Sequence, residues 1–537
     1  MNYNNSGKSV ILPLLLGVSL AIGVLIGRYL PGPDDQPRNS NIRSRNDKLN
    51  SILNIVESNY VDSVNRNDLI ETAIPAILKK LDPHSIYIPA KDLARANEPL
   101  QGNFDGIGIS FNMLTDTILV ISTIPGGPSE KLGLQAGDKI LYVNDSLVAG
   151  RHISDEKVMS LLKGPRGTVV KIKVMRNGLK ELLPFEITRD KIPMYSVDVD
   201  YMATNTIGYI RINTFAMTTF DEFMKGLKDL KSQGMTSLVL DLRGNSGGIM
   251  EAAIQIANQF LKKDQLIVYT KGRAQPRSEA RATGNGEFET GDLVILIDEM
   301  SASASEILAG AIQDNDRGTI IGRRSFGKGL VQEPVSFSDG SGMRLTIARY
   351  YTPSGRSIQK PYADGFDKYY DDLTTRYNHG EFEVSDSIHF SDSLKFTTLN
   401  GRIVYGGGGI MPDKFVPADT TGVSAYFMKV RSQVYRFAMT YTEKNRETLK
   451  KYTEAGEMEK YLDHQALLDQ FVQFAARNGI PKDPAGLKTS GNIIHVQLKA
   501  YIARNILDNK GFYPIWENID TTLKYAIEYL KEDKRQK

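Results

Sequence analysis

Two apolar segments, each ending in a run of small polar residues, constrain this chain most. Ser237 to Leu242 is followed by Gly244-Asn245-Ser246-Gly247-Gly248, and Leu293 to Ile297 by Ser301-Ala302-Ser303-Ala304-Ser305-Glu306. Each run opens a helical pattern: Ile249, Ala253, Ile256 and Phe260 share one face after the first, and Ile307 to Ile312 follows the second. Ile207 to Ile212 reads as a further strand, and Thr219-x-x-Glu222 as a capping box before Phe220, Phe223, Leu227 and Leu230. Strands alternating with helices imply parallel pairing through right-handed crossovers. Both polar runs then lie at C-terminal strand ends, where open α/β sheets hold their sites.

At 537 residues the chain is too long for one core, so two to four domains are expected. A 41% apolar and 24% charged composition is that of globular protein. The net charge is only +3 with both signs interspersed, which argues against a nucleic-acid partner. Without cysteine there is no disulfide, thiolate nucleophile or cysteine metal site. The six histidines, His84, His152, His379, His389, His464 and His495, form no HExxH or paired spacing, so no metal and no cofactor is expected.

Near the N-terminus, Val10 to Ile26 is free of charge, preceded by Lys8 and closed by Arg28. Its length falls between a secretory h-region and the ~20 residues of a spanning helix, and no small-x-small cleavage site follows it cleanly. An uncleaved anchor over residues 1–35 is the expectation, with a cleaved signal as the alternative. The positive-inside rule, applied to Arg28, Arg38, Arg43, Arg45 and Lys48, would by itself keep the bulk of the chain cytoplasmic.

A helical region is expected over 36–100, with Leu49, Ile52, Leu53, Val56 and Tyr60 on one helix and a second helix starting at Asp68, with Glu71 three residues on. Residues 101–190 carry short strands between glycine turns, beginning at Gly106-Ile107-Gly108-Ile109 and broken by a helix near Asp155 to Leu162. The α/β segment occupies 191–417, and 418–537 reads as a helical C-terminal extension.

The two polar runs suit acyl transfer. A serine hydroxyl needs a base, and Lys328 in Ser325-Phe326-Gly327-Lys328-Gly329 qualifies if an apolar pocket, for which Phe326 and the glycines are suited, lowers its pKa by roughly three units. The amides of Gly248 and Ala304 are candidate oxyanion donors. Simpler roles compete: Ser303-x-x-Glu306 is also a capping box, Lys328 a solvated loop lysine, and Gly244 to Gly248 an ordinary turn. If Ser303 is a nucleophile, Ser301 or Ser305 should carry more of the capping. Asp241-Leu242-Arg243 reads as polar support for the turn. Gly322-x4-Gly327-Lys328 mimics a phosphate loop, but Gly329 stands where a magnesium-ligating Ser or Thr is needed.

Five ordered motifs resemble the carboxyl-terminal processing peptidases, or tail-specific proteases: Asp241 to Gly248, Ser301 to Glu306, Phe326-Gly327-Lys328-Gly329-x-x-Gln332, Tyr351 to Gln359 and Gly408-Gly409-Ile410-x-Pro412-Asp413. The resemblance covers Leu49 to Pro417. It implies an α/β multidomain protein, with a protease core of the ClpP/crotonase-like class, a PDZ domain inserted upstream, an N-terminal membrane anchor and helical terminal regions. It implies a serine endopeptidase with Ser303 as nucleophile, Lys328 as general base, Gln332 orienting the lysine, and Gly248 and Ala304 as oxyanion hole. The Gly106, Ile107, Gly108 and Ile109 loop of the PDZ domain would take the carboxylate of an apolar C-terminal tail, with the next strand pairing to the peptide. In some family members the PDZ domain gates the dyad, and Lys163 and Arg166 are candidates for such a contact. The resemblance further implies a homodimer, room for an adaptor lipoprotein, and a catalytic part in the periplasm of an inner-membrane-anchored enzyme.

A tail-binding scaffold with an inactive core and a crotonase-type acyl-CoA enzyme are the rival functions. The first has no need of Ser303, Lys328 and Gln332 together, and the second no need of a PDZ module. A Tyr- and Asp-rich insertion at about 361–405 and the extension carry no catalytic pattern. They read as a solvated loop and as an appendage for dimer or partner contacts.

Overall fold

The computed structural model describes residues 48–113, 116–388 and 391–536. The expected anchor over 1–35 lies outside them. Among the described residues, no helix is long and apolar enough to cross a membrane. The chain divides into two units, one of residues up to Ile77 and one beginning at Leu78. The first unit holds helix α1 (Lys48–Asn59) and all but the last residue of α2 (Arg66–Leu78). Asn65, not Asp68, opens α2, its side chain accepting from the Asn67 amide at 2.9 Å. Of the apolar stripe on α1 only Leu53 is buried, while Leu49, Ile52 and Ile55 stay exposed.

In the second unit, β1 (Ile86–Ile88), α3 (Ala90–Gln101) and β2 (Asn103–Gly106) lead into a β-rich module. Its sheet runs β3 (Ile109–Asn112), β4 (Ile118–Thr123), β5 (Lys139–Val143), with β6 (Ser146–Leu147) paired to β5, then β7 (Val169–Met175) and β8 (Leu183–Thr188). Helices α4 (Pro128–Lys131) and α5 (Asp155–Leu162) complete it. The alternation of exposed and buried residues along β7 follows from one wet and one packed face. β9 (Asp190–Pro193) pairs with β2 and returns the chain.

The central sheet has the order β10 (Val197–Met202), β11 (Ile207–Ile212), β12 (Ser237–Asp241), β15 (Asp292–Ile297), β16 (Thr319–Gly322), β21 (Lys414–Phe415). β10 is antiparallel to β11 and every later pair is parallel. β12 and β15 are adjacent and in register from Ser237↔Asp292 to Asp241↔Leu296, so the two polar runs leave neighbouring strands on the same edge. The crossover helices α6 (Thr219–Ser232), α7 (Met250–Ala257) and α8 (Ala304–Asp314) pack with one face of this sheet in a single apolar core. The expected Thr219/Glu222 capping box does not form. Thr219 is already helical, and Glu222 instead accepts the Ser196 and Val197 amides at 2.7 and 2.9 Å, which ties α6 to β10.

A second, antiparallel sheet joins β1, β18 (Gly342–Tyr351), β13 (Leu266–Lys271) and β14 (Ser278–Arg281), with β17 (Leu330–Ser336) on β18. The chain carries Lys328 as it passes from β16 to β17. The insertion is not the solvated loop its composition suggests. Its helix α9 (Phe366–Asn378) buries Tyr369 and Arg376, and the hairpin β19 (Lys395–Thr397) and β20 (Ile403–Tyr405) follows it. Nor is the extension wholly an appendage. Helices α10 (Ala425–Leu449), α11 (Ala455–Asp463), α12 (Leu467–Arg477) and α13 (Pro484–Trp516) share their own core. The last helix, α14 (Thr521–Gln536), lays Leu523, Ala526, Ile527 and Leu530 against Val199, Val239, Val294 and Leu296, closing the other face of the central sheet.

Candidate active site

Ser303 is the N-cap of α8 and holds φ 56°, ψ −113°, a backbone conformation that costs a non-glycine residue about 1–3 kcal/mol. Neighbouring contacts hold it there. Ser301 Oγ donates to the Leu242 carbonyl at 2.8 Å, and Ser305 Oγ to the Asn245 carbonyl at 2.8 Å. The Ala302 amide joins the same Asn245 carbonyl at 3.0 Å. Ser301 and Ser305 therefore bind the serine turn to the glycine turn and are not the expected cap. Glu306 takes that part, its Oε2 accepting the Ser303 amide at 2.8 Å.

The glycine turn fits closely under Ser303. A Cβ on Gly247 would meet Ser303 Cβ at 2.7 Å, and one on Gly248 (φ +141°) would meet the Phe215 carbonyl at 2.1 Å. Only glycine lets the two turns approach this way. Among the described residues, no carbonyl or carboxylate takes the Gly248 or Ala304 amide. Asp241 lies wholly buried below the turn. Burial alone would raise its pKa, but Arg243 and Arg211 outweigh it and hold the carboxyl well below the usual range.

One buried carboxylate links the two loops. Besides Ser303, Glu306 accepts the Gly327 amide at 2.7 Å, the Lys328 amide at 2.9 Å and the Ser325 hydroxyl at 2.5 Å. Burial pushes its pKa up, against the pull of these four donors. The Tyr350 hydroxyl adds a second link, 2.7 Å from the Lys328 carbonyl and 3.1 Å from that of Ser303. Neither Glu306, which reads as a plain cap, nor Tyr350, far along the chain, carries a sequence signal for this role.

Lys328 Nζ donates to Gln332 Oε1 at 2.9 Å. A register shift between Val331 and Gln332 in β17 aims that side chain, and Gln332 Nε2 donates to the His84 carbonyl. Burial, then the Arg344 guanidinium, pull the Lys328 pKa down, while Glu306 and Asp82 act the other way. Among the described residues, Lys328 Nζ makes no hydrogen bond to the Ser303 hydroxyl. The Phe326 ring carries Lys360 Nζ at 4.0 Å.

The insertion braces this loop. Arg376 donates to the Ser325 and Arg324 carbonyls at 3.1 and 2.7 Å, and Tyr369 Oη meets His84 Nε2 at 2.8 Å. Sequence reasoning missed both, along with His84.

In the β-rich module, the buried Ile107 carbonyl accepts the Ser129 amide at 3.1 Å and its hydroxyl at 2.6 Å, and Gly108 turns with φ +75° into β3. Gly106 ends β2, and Ile109 starts β3, the terminal strand of its sheet. Lys163 pairs with Glu98 at 2.5 Å and Arg166 with Asp190 at 2.7 Å. Among the described residues, no three His, Asp or Glu side chains gather as metal ligands.

Family models match residues 206–366 as peptidase family S41, 106–187 as a PDZ domain, 32–92 as the activating protease CtpB N-terminal domain and 426–508 as a family of unknown function. A carboxy-terminal-processing protease of Bartonella bacilliformis is 37% identical over 317 residues, 58% of this chain and 72% of that protein. A probable CtpA-like serine protease of Staphylococcus aureus is 31% identical over 438 residues, 79% of this chain and 84% of its own. The solved photosystem II D1 C-terminal processing protease is 30% identical, with 58% of this chain and 89% of that one covered at a TM-score of 0.34. The chain belongs to the carboxy-terminal processing proteases of peptidase family S41, serine peptidases with a PDZ domain.

Proposed function

We propose that this protease binds the C-terminal tails of envelope proteins on its PDZ domain and cleaves them through a Ser-Lys acyl-enzyme mechanism. The observation that carries this reading is the Glu306 carboxylate, which holds the amides of Ser303 and Lys328 on one oxygen. Neutral Lys328 takes the Ser303 proton as Oγ attacks the peptide carbonyl, with Gln332 holding the amine in line. The oxyanion receives the Gly248 and Ala304 amides. Collapse breaks the C–N bond, and the lysine ammonium returns its proton to the leaving amine. Lys328 then takes a proton from water, which attacks the acyl-serine and frees Ser303.

The loop Gly106, Ile107, Gly108 and Ile109 takes the tail carboxylate, and the edge strand β3 pairs with the residues before it. The enzyme is held at the inner membrane by Val10 to Ile26, with its catalytic part in the periplasm. It works as a homodimer, which the exposed apolar residues of α1 support, and an adaptor lipoprotein is compatible with tail delivery. Incubating the soluble protein with an unfolded protein that ends in an apolar tail tests the chemistry. Cleavage by wild type, with Ser303→Ala and Lys328→Ala inert, is expected; equal inertness of all three with tail binding retained would favour a scaffold.

A further inference from the structure

The final helix brings a carboxylate to the turn that presents Gly248. Arg243, mostly but not fully buried just before that turn, lies between two acids. Its Nε and Nη2 donate to Asp241 at 3.0 and 2.6 Å, and its Nη1 and Nη2 form a fork on Asp520 at 2.9 and 2.7 Å. Asp520 is 277 residues further along the chain. It also opens α14, its Oδ1 accepting the Leu523 amide at 3.0 Å. The Arg243 carbonyl is taken by Arg211 Nη2 at 2.9 Å and the next amide, Gly244, by Asp298 at 2.9 Å. Arg211 in turn donates to Asp241 at 2.8 Å. The entrance to the Gly244–Gly248 turn is thus fixed on its backbone by Arg211 and Asp298, and on its side chain by Asp241 and Asp520.

A buried guanidinium satisfied on both edges has one orientation, whereas one with a free edge draws in water or turns towards another acceptor. We infer that Asp520 is a positioning residue for peptide-bond hydrolysis: through Arg243 it holds the Gly244–Gly248 turn where the Gly248 amide meets the oxyanion. The C-terminal extension then serves the chemical step and not the capture of the tail. This inference rests on the assignment of Gly248 to the oxyanion hole.

The test compares Asp520→Asn with Leu530→Ala in the full chain. Asparagine caps a helix as well as aspartate does, so Asp520→Asn keeps α14 while removing the charged fork. Leu530→Ala loosens α14 without touching Arg243. The expected result for Asp520→Asn is a fall in kcat of at least about tenfold with KM for a tail-bearing substrate within about twofold. Affinity for a tail-bearing peptide boronate, which forms a tetrahedral adduct, should fall in parallel. Leu530→Ala should lower the melting temperature and leave kcat unchanged below it. Asp520→Asn with wild-type kcat, or a kcat loss matched in Leu530→Ala at equal destabilisation, overturns the inference. Ser303→Ala separates the two levels: if it still turns over, the site assignment falls and the inference with it; if it is inert while Asp520→Asn keeps its kcat, only the inference falls.

Discussion

The amides of Ser303 and Lys328 donate to the same atom, Glu306 Oε2, at 2.8 and 2.9 Å. This relation fixes the candidate nucleophile and base to each other although they sit on separate loops, one after β15 and the other between β16 and β17. Glu306→Gln keeps one acceptor oxygen but turns an NH2 towards the remaining donors. It should lower kcat by about a hundredfold and cost roughly 1–3 kcal/mol of stability. Turnover of an unfolded tail-bearing protein and urea unfolding of the same preparation check both.

Lys328 must be neutral to act as base, so kcat/KM should rise with pH along an acidic limb set by its pKa. Burial and Arg344 hold that pKa below its ordinary 10.5. Arg344→Gln removes a charge that disfavours the ammonium, so the limb should move to higher pH. A pH–rate profile of the two proteins reads this directly, and a shift to lower pH would contradict it.

His84 is pushed down to about 4 by burial and by Lys328 and Lys360, against Asp82. The folded state therefore disfavours a proton that the unfolded chain accepts near 6.5. This contribution is fully present above pH 6.5 and is lost as pH falls to about 4, by on the order of 2 kcal/mol once its partial exposure is discounted. Urea midpoints between pH 8 and pH 4.5 should drop less in His84→Gln than in wild type.

Arg376→Ala deletes the hydrogen bonds to the Ser325 and Arg324 carbonyls and with them the brace of α9 on the lysine loop. A fall in kcat of about tenfold or more is expected, with tail affinity unchanged. Gly108→Val should do the reverse. At φ +75°, with Ile192 Cδ1 3.0 Å from the added Cβ, it distorts the proposed tail-binding loop and should raise KM while leaving kcat nearly intact. Fluorescence titration of a labelled tail peptide separates the two variants.

The parallel sheet and its two polar turns were legible because their signals are local: buried runs, glycines and a helix start all lie within one turn of the chain. Ser303, Lys328 and Gln332 stood out through motif order, and the structure brings their loops together. What pattern reading missed depends on distant partners. Tyr369 meets His84 across 285 residues, and Asp520 meets Arg243 across 277. Composition read the stretch holding α9 as a solvated loop and the one holding α14 as an appendage for dimer or partner contacts; only tertiary packing shows that one braces the lysine loop and the other closes the sheet. Glu306 was hidden differently, because a capping glutamate and a clamp for four donors look the same in sequence.

The central claim is that Ser303 is acylated with Lys328 as its base, and labelling with a tail-bearing fluorophosphonate, read by intact-protein and peptide mass spectrometry, tests it most directly. One adduct on Ser303 is predicted, forming faster as pH rises along the Lys328 limb, absent in Ser303→Ala and at least about a hundredfold slower in Lys328→Ala. An adduct on another residue, or an unchanged labelling rate in Lys328→Ala, would contradict the account.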